Sequence, residues 1–156
     1  MLGIFKKSKR AIVAPITGKV IPLEKVNDQV FASGIMGKGV AVIPDEDVYV
    51  APVDGTITII SETKHAFGMK TDNGLELLVH IGIDSVYLKG EGYTVLTPEG
   101  TKVKQGTPII KIDRDVFAQK NISLETPVLV LNHTEYEIDI LENSKCEVGK
   151  TELMKY

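Results

Sequence analysis

Several residue types are scarce or missing in this chain, and each shortage excludes a class of protein. Cys146 is the single cysteine among 156 residues, so no disulfide can form within the chain and a reducing cytoplasm is expected. No apolar run approaches the roughly 18 residues that a membrane-spanning helix needs. Positive charge is not in excess either, because 18 Lys and Arg stand against 21 Asp and Glu. The resulting net charge of -3 argues against a nucleic-acid binder.

Aromatic residues are few, at 6% with no tryptophan, but 43% hydrophobic and 25% charged residues are the balance of one globular domain with a core. The first ten residues stand apart, because Leu2, Ile4 and Phe5 precede a basic cluster at residues 6–10. That order is the reverse of a secretory signal. We predict a flexible segment over residues 1–10, with at most a peripheral membrane contact, followed by one domain over residues 11–156.

Runs rich in valine, isoleucine and threonine recur from residue 11 onward, and most of the 14 glycines and 7 prolines fall between them. This alternation predicts short β-strands joined by turns. One short helix is expected over residues 114–120, with Asp113 as its N-cap, and a further helical turn at residues 84–87. The chain is therefore predicted to be all-β, folded as a sandwich or barrel. The clearest predicted strands cover residues 19–21, 56–60, 75–81, 108–112 and 128–131.

An imperfect repeat links two parts of the chain. The sequence Ala-Pro-Ile-Thr-Gly at residues 14–18 resembles Ala-Pro-Val-Asp-Gly at residues 51–55, and a predicted strand follows each copy. A weaker likeness relates residues 103–106 to residues 146–149. We expect two related halves that pack on each other.

The segment over residues 62–86 carries the pattern most relevant to function. Asn73-Gly74 between two strand-like runs predicts a hairpin with a two-residue turn. On that register the two histidines of the segment are diagonal neighbours, roughly 6 to 8 Å apart at Cβ. One face of the hairpin would hold His65, Phe67, Met69, Leu78 and His80, and the core face would hold Leu75, Leu77, Val79 and Ile81.

Two histidines on one face allow three interpretations. They could be ordinary polar residues on a half-exposed sheet. They could bind zinc, with His65 and His80 as ligands, although a catalytic zinc usually has three protein ligands and no His-Glu-x-x-His motif is present. They could also carry a phosphoryl group, because neutral imidazole is a nucleophile near pH 7 and a second imidazole can donate to phosphoryl oxygens. The third histidine, His133, is expected in a solvated loop.

Several motifs resemble one known family. Leu-Val-His-Ile-Gly-Ile-Asp-Ser-Val at residues 78–86 resembles the active-histidine signature of the glucose-type enzyme IIA of the bacterial phosphoenolpyruvate:sugar phosphotransferase system. Glu-Thr-Lys-His-Ala-Phe at residues 62–67 is similar to its second-histidine motif, and residues 51–55 and 88–92 also match. The likeness covers nearly the whole chain from about residue 11, with Ser85 where the family usually has threonine.

This resemblance implies an antiparallel β-sandwich of the duplicated hybrid type and a phosphoryl carrier of sugar transport. His80 would accept the phosphoryl group on Nε2 from phosphorylated HPr and pass it to a cysteine of the enzyme IIB domain of a sugar permease. His65 would stabilise the phosphoryl group, and the Thr63 hydroxyl would orient His65. Such a carrier requires no cofactor, and sugar specificity would belong to the permease.

The resemblance also implies a docking rim around the histidines, used by HPr, by the IIB domain and by regulatory proteins. An apolar patch there suits transient docking. The competing interpretation of its apolar members is plain core, above all for Val30. The implied rim residues are Val30, Phe31, Met36, Leu78, Asp84 and Val86.

Three other functions compete with the carrier. A biotinyl or lipoyl domain is built on a related sandwich, and Met69-Lys70 faintly resembles its modified tip, but Lys70 lies within a predicted strand. A zinc peptidase of similar fold would need a further His-x-His pair, which the sequence lacks. A non-catalytic regulatory module of the same sandwich type would have no need of the histidine pair.

Overall fold

The computed structural model of the protein describes residues 10–156, which are mainly β-strands joined by tight turns. All five of the strands predicted from composition coincide with or overlap strands of the structure. The segment predicted as flexible at residues 1–10 lies, except for Arg10, outside the described residues. The strands are β1 (Ala11–Val13), β2 (Gly18–Pro22), β3 (Lys38–Pro44), β4 (Val48–Val50), β5 (Gly55–Ile60), β6 (Ala66–Lys70), β7 (Glu76–His80), β8 (Tyr93–Val95), β9 (Lys102–Val103), β10 (Pro108–Ile112), β11 (Thr126–Val130), β12 (Asp139–Ile140), β13 (Lys145–Cys146) and β14 (Glu152–Lys155).

Two short α-helices interrupt the strands, α1 (Gln29–Ala32) and α2 (Arg114–Lys120). Each begins behind an aspartate whose carboxylate accepts backbone hydrogen bonds, Asp28 for α1 and Asp113 for α2. The helix predicted over residues 114–120 is α2, and its predicted N-cap, Asp113, is confirmed. No helix within residues 10–156 is long and apolar enough to cross a membrane. Single turns of 3₁₀ helix lie at Leu23–Lys25, Ser85–Leu88 and His133–Glu135.

The strands form three antiparallel sheets. One sheet of eight strands has the order β13-β2-β3-β11-β7-β6-β5-β9, and two sheets of three strands have the orders β1-β14-β12 and β4-β10-β8. One apolar cluster joins all three, with Ile12 from β1, Val42 from β3 and Tyr49 from β4 among its members. Because each sheet buries one face against this shared cluster, the layers hold each other in place.

The repeat seen in the sequence has a structural counterpart. The Val13 N–H donates to the Pro52 carbonyl at 3.0 Å, and the Val50 N–H donates to the Pro15 carbonyl at 2.8 Å. Each copy of the Ala-Pro motif thus receives a hydrogen bond from the strand that precedes the other copy. This reciprocal pairing is what two related, mutually packed halves should show.

The weaker likeness between residues 103–106 and 146–149 follows the same symmetry. The Gly149 N–H donates to the Ala14 carbonyl, and the Gly106 N–H donates to the Ala51 carbonyl, each at 2.9 Å. Both sequence repeats therefore lie at equivalent positions in the fold, which confirms the expected duplication.

The turn between β6 and β7 holds three residues, 72–74, and not the predicted two. The Thr71 N–H donates to the Leu75 carbonyl and the Gly74 N–H donates to the Thr71 carbonyl, both at 3.0 Å. The Thr71 hydroxyl accepts the Leu75 N–H at 3.0 Å and donates to the Asn73 side chain. Gly74 has a φ of 95°, as a three-residue turn that ends in a bulge requires. The Asn-Gly pair located the turn correctly, and the threonine lengthens it.

The longer turn shifts the strand pairing by one residue. Phe67 pairs with Val79 and Met69 with Leu77, and all four side chains are buried. The prediction that Phe67 and Met69 share a face with His80 is therefore wrong. Since a shift of one residue turns every side chain to the other face, the burial of these two apolar pairs fixes the register.

A second, smaller apolar cluster lies on the opposite face of the eight-stranded sheet. Ala41 and Leu129 belong to it, whereas their strand neighbours belong to the main core. Phe31 of α1 and Ile83, in the turn after β7, complete the cover of this face. The small cluster therefore anchors both α1 and the turn that follows His80.

The close contact between β3 and β11 yields a stability prediction. A Cβ at Gly39 would lie 1.9 Å from the Val128 carbonyl oxygen, an impossible distance. We expect Gly39→Ala to lower the free energy of unfolding by about 3 kcal/mol, the upper end of the range for overpacking. Urea unfolding followed by circular dichroism measures the change. Gly106→Ala is the control, because Gly106 has a φ of 91° but no atom within 4 Å; an equal loss in both variants would contradict the steric argument.

Candidate functional site

His80 is the last residue of β7, and the chain turns sharply after it. Gly82 has a φ of 91° and Asp84 a φ of 57°, which lets the chain enter the 3₁₀ helix Ser85–Leu88 at once. A Cβ at Gly82 would lie 2.9 Å from the Ser123 carbonyl oxygen. This position therefore needs glycine both for its conformation and for space.

The turn brings the Gly82 carbonyl back to the imidazole of His80. The Nδ1 atom of His80 lies 2.8 Å from the Gly82 oxygen, and the Ser85 hydroxyl donates to the same oxygen at 3.2 Å. Since a carbonyl oxygen can accept but not donate, Nδ1 carries the hydrogen of this bond. In the neutral ring the lone pair is then on Nε2, which makes Nε2 the nucleophilic atom.

His65 lies in the loop between β5 and β6, where two hydroxyl groups contact its ring. The Thr63 Oγ1 atom is 2.6 Å from Nδ1 of His65, and the Ser61 Oγ atom is 3.3 Å from the same nitrogen. Lys64 has a φ of 63°, which closes the loop between them. The expected contact between Thr63 and His65 is present, and Nε2 is left as the nitrogen that can meet another group.

The two imidazoles lie together at this end of the sheet. Their ring centroids are 4.8 Å apart and their planes are at 74°. The ring of Phe31 lies on another side of His80, also with centroids 4.8 Å apart. The site is therefore a pair of histidines held from one side by an aromatic ring, with both Nδ1 atoms engaged by hydrogen bonds.

The histidines meet although the register that predicted their proximity is wrong. Alternation along β6 would turn His65 to the core face that Phe67 and Met69 occupy. His65, however, precedes β6. Its side chain is oriented by the contact with Thr63 in the loop and not by the alternation of side chains along a strand. Its backbone carbonyl still accepts the Ile81 N–H at 2.7 Å, which keeps the loop beside the end of β7.

Burial keeps both rings uncharged. Loss of solvent, and secondly the nearby His80, lower the pKa of His65 from 6.5 to about 4. Loss of solvent also lowers the pKa of His80, although the Gly82 hydrogen bond and the charge of Asp28 oppose this. Because each pKa lies below its ordinary value, both imidazoles are neutral at pH 7. A neutral His80 with its lone pair on Nε2 is the form that can attack phosphorus.

Comparison with known proteins agrees with this geometry. Residues 10–136 match the protein family described as phosphoenolpyruvate-dependent sugar phosphotransferase system, EIIA 1. The chain belongs to this family. An EIIA domain of this type is a phosphoryl carrier, a phosphotransferase component of sugar transport, so the function predicted from the two histidine motifs is confirmed.

Curated EIIA relatives occur both as short chains and as parts of longer ones. The glucose-specific EIIA component of Bacillus cereus is 42% identical over 156 residues, which cover 96% of this chain and 92% of the relative. The N-acetylglucosamine-specific EIICBA component of Klebsiella pneumoniae is 43% identical over 148 residues, which cover 94% of this chain but 23% of the relative. The chain thus spans about a quarter of that longer protein.

A solved structure shows the same EIIA fold. The glucose permease IIA from Mycoplasma capricolum aligns with a TM-score of 0.89 at 30% identity, covering 95% of this chain and 96% of that one. The antiparallel β-sandwich expected from the resemblance is confirmed. In this EIIA domain Lys70 pairs with Glu76 inside the sheet, so it does not occupy the exposed hairpin tip that a biotinyl or lipoyl carrier requires.

Two imidazoles are fewer than the four ligands of a tetrahedral zinc site. His65 and His80 each have an Nε2 atom free of the hydrogen bonds that hold Nδ1. Within residues 10–156 no group of three or more His, Cys, Asp or Glu side chains is arranged to hold a metal ion. Zinc at this pair would need about two further ligands, from water or from another molecule.

The predicted docking rim is exposed at most of its positions. Val30, Met36 and Val86 are 51%, 38% and 48% exposed, so the interpretation of Val30 as core is wrong. Asp84 is exposed as well, and Leu78 is half-buried against the small apolar cluster. We call Val30, Met36 and Val86 the apolar rim. Exposed apolar side chains of this kind are typical of a surface that docks another protein.

Phe31 differs from the other predicted rim residues. Its side chain is only 6% exposed and belongs to the small apolar cluster. Phe31 therefore contacts the His80 ring from within the small apolar cluster and offers little surface to a partner. Its exposed neighbour on α1, Val30, is the residue that can contact another protein.

Two residues near the histidines were not assigned a role from sequence. Gly82 supplies the carbonyl that fixes the His80 tautomer, and a glycine two positions after a strand-end histidine was the available signal. Ser61 contacts His65 from a part of the loop that no motif singled out. The contact of Ser61 depends on how the loop closes, which the sequence pattern alone does not give.

A groove of about 860 Å³ lies beside β2 and β3. It is lined in part by Leu23, Gly34, Leu141 and His133, and neither His65 nor His80 is among its lining residues. His133 lies in a single turn of 3₁₀ helix, which agrees with the predicted turn, but it is half-buried and not fully exposed to solvent. His65 and His80 are themselves half-buried, so part of each residue remains accessible to another molecule.

Proposed function

We propose that this EIIA domain accepts a phosphoryl group from phosphorylated HPr on Nε2 of His80 and passes it to a cysteine of an enzyme IIB domain. The hydrogen bond from His80 Nδ1 to the Gly82 carbonyl is the observation that carries this proposal, since it leaves the lone pair on Nε2. The neutral state of the ring supports it further, because burial lowers the pKa of His80.

Each transfer is a displacement at phosphorus. In the first step the Nε2 lone pair of His80 forms an N–P bond while the bond between phosphorus and the HPr donor breaks, and the donor keeps that electron pair. In the second step the IIB thiolate attacks phosphorus and His80 leaves with its electron pair. The transition state of phosphoryl transfer is loose, so positioning and charge stabilisation provide most of the catalysis.

His65 is proposed to stabilise the phosphoryl oxygens. Its ring lies at 4.8 Å from that of His80 between centroids, and its Nδ1 atom is engaged by hydroxyl groups. If those hydroxyls donate, the neutral ring carries its hydrogen on Nε2 and can donate it to a phosphoryl oxygen. Thr63 is proposed to favour this tautomer, because its hydroxyl lies 2.6 Å from Nδ1 and can donate to it.

An enzyme IIB partner is supported by the architecture of the relatives. The matching region occurs in an EIICBA component of Klebsiella pneumoniae and in an EIIBCA component of Bacillus subtilis, the latter 39% identical over 150 residues. HPr is proposed as the donor because it is the kind of donor that an EIIA domain of this system uses. Since both partners would meet this chain in the cytoplasm, we place it there.

The direct test is phosphorylation with purified components. Incubation with phosphoenolpyruvate, enzyme I and HPr should add one phosphoryl group, located at His80 by mass spectrometry of the peptides. A phosphoramidate should be labile in acid and stable in base. Omission of HPr is the control. An acid-stable product, or a group located on serine or threonine, would refute the proposal.

The apolar rim should control partner affinity rather than chemistry. Met36→Asp places a charge on this surface, so we expect the KM for phosphorylated HPr to rise about tenfold with kcat nearly unchanged. Binding lost equally in the ground state and the transition state appears in KM. Steady-state kinetics at varied HPr concentration measure both constants. Leu96→Asp is the control, because Leu96 is an exposed apolar residue that follows β8, in a different sheet from β7.

Phosphotransfer should not depend on a metal ion. The pair offers at most two nitrogen ligands, and Nε2 of His65 would first have to give up its proposed hydrogen, so zinc would bind weakly or at a contact with another molecule. We expect a zinc-selective chelator to leave the transfer rate from HPr unchanged within about twofold, as the His80 nucleophile needs no activating cation. Stopped-flow kinetics with and without chelator measure this. A rate that falls to background and returns with added zinc would contradict it.

A further inference from the structure

Two hydroxyl groups converge on one nitrogen of His65. Thr63 Oγ1 lies at 2.6 Å and Ser61 Oγ at 3.3 Å from Nδ1, so both are within hydrogen-bond distance. A neutral imidazole nitrogen that accepts a hydrogen bond has a single lone pair. One hydroxyl would be enough to occupy it, and the second therefore requires an explanation.

Ser61 is held firmly in the position from which it contacts the ring. Its N–H donates to the Ala66 carbonyl at 2.9 Å, and its own carbonyl accepts the Lys64 N–H at 2.8 Å. Its Oγ atom accepts the Ala66 N–H at 3.1 Å. Because Oγ already accepts in this bond, its remaining hydrogen is the group that can be directed at His65 Nδ1.

We propose that Ser61 is a second positioning residue for His65, and that its hydroxyl maintains the Nε2–H tautomer together with Thr63. With Nδ1 accepting from a hydroxyl, the ring hydrogen must reside on Nε2, on the edge that meets the phosphoryl group. The inference rests on the proposed role of His65 and names a residue through which that role is maintained.

The two hydroxyls differ in what holds them. Ser61 is fixed to Ala66 through both its backbone and its side chain, whereas Thr63 lies beside Lys64, which has a φ of 63°. Thr63 gives the shorter bond, and Ser61 gives the more rigidly placed one. Either hydroxyl alone should therefore preserve most of the ring orientation, and loss of both should release it.

A double-mutant cycle tests this redundancy. The variants are Ser61→Ala, Thr63→Val and their combination, with Ser144→Ala as a control at an exposed serine outside the loop. Transfer to a purified IIB domain is measured in single-turnover quench-flow. We expect each single variant to slow transfer by about threefold to tenfold, and the pair to slow it by about a hundredfold or more, beyond the product of the two.

Nitrogen-15 spectra of the histidine side chains provide the readout that a merely structural role would not change. The single variants should keep His65 as the Nε2–H tautomer, and the double variant should show a mixture of tautomers or an averaged ring. Urea unfolding checks that all variants fold. Ser61→Thr in the Thr63→Val background keeps a hydroxyl at position 61 and should restore both the spectrum and the rate.

The outcomes separate this inference from the role of His65 itself. A double variant that matches Thr63→Val in rate and spectrum would overturn the role of Ser61. Failure of Ser61→Thr to restore the spectrum of a folded protein would do the same. If His65→Ala transfers to IIB at the normal rate, the role of His65 fails instead, while the spectra still decide whether Ser61 sets its tautomer.

Discussion

Replacement of His80 by alanine is expected to abolish phosphorylation of this EIIA domain. Nε2 of His80 is the nitrogen whose lone pair is presented by a fixed tautomer, because Nδ1 donates to the Gly82 carbonyl. His65 should not take over, because in its proposed tautomer the hydrogen of the neutral ring occupies Nε2 and the Nδ1 lone pair faces the Thr63 hydroxyl. The loss should be complete and not a partial slowing, because no bond to phosphorus can form.

The measurement is incorporation of labelled phosphate from phosphoenolpyruvate through enzyme I and HPr. His133→Ala is the matched control, because His133 is the third histidine of the chain and lines the separate groove. It should accept phosphate to the same extent as the unmodified protein. Persistent labelling at His65 in the His80→Ala variant would refute the assignment of the acceptor.

Replacement of His65 by glutamine should slow the onward transfer far more than the acceptance of phosphate. Departure of the phosphoryl group from His80 leaves its oxygens dependent on donors of this protein, of which the His65 ring, 4.8 Å away between centroids, is the proposed one. When His80 accepts the phosphoryl group, by contrast, groups of HPr near the donor can also stabilise the phosphoryl oxygens. Loss of one preorganised donor costs about 2.7 to 4 kcal/mol, a hundredfold to a thousandfold in rate.

Glutamine is a demanding test because it retains a neutral N–H donor but is not held by the Ser61 and Thr63 hydroxyls as the ring is. We expect His65→Gln to become phosphorylated at His80 and then to transfer to IIB about a hundredfold more slowly. Quench-flow kinetics in each direction separate the two half-reactions, with His133→Gln as control. Equal slowing of both steps, or of neither, would remove the specific role proposed for His65.

The register predicted for the hairpin is wrong, yet His65 and His80 lie together as the sequence predicted. Asn73-Gly74 predicted the turn, but the Thr71 hydroxyl bonds to Asn73 and Leu75, and the turn takes in a third residue. Every predicted pair between β6 and β7 is therefore displaced by one position. The histidines still meet because His65 lies outside the regular strand.

Local sequence predicted five of the fourteen strands within residues 10–156, the helix at residues 114–120 with its Asp113 cap, the duplication and the two histidine motifs. These features depend on residue type at short spacing: β-branched residues in runs, an aspartate before a helix, and glycine where the chain must turn. The likeness to the EIIA family then indicated the function, since its motifs contain the reacting groups themselves.

The tertiary structure decided which atoms those groups present. The tautomer of His80 depends on a carbonyl that a turn brings back to the ring, and the burial of Phe31 and exposure of Val30 depend on how α1 packs over the sheet. The contact of Ser61 with His65 depends on the closure of one loop. Such contacts join residues through the path of the chain in space, so residue type and spacing could name the histidines but not the hydrogen bonds that set their chemistry.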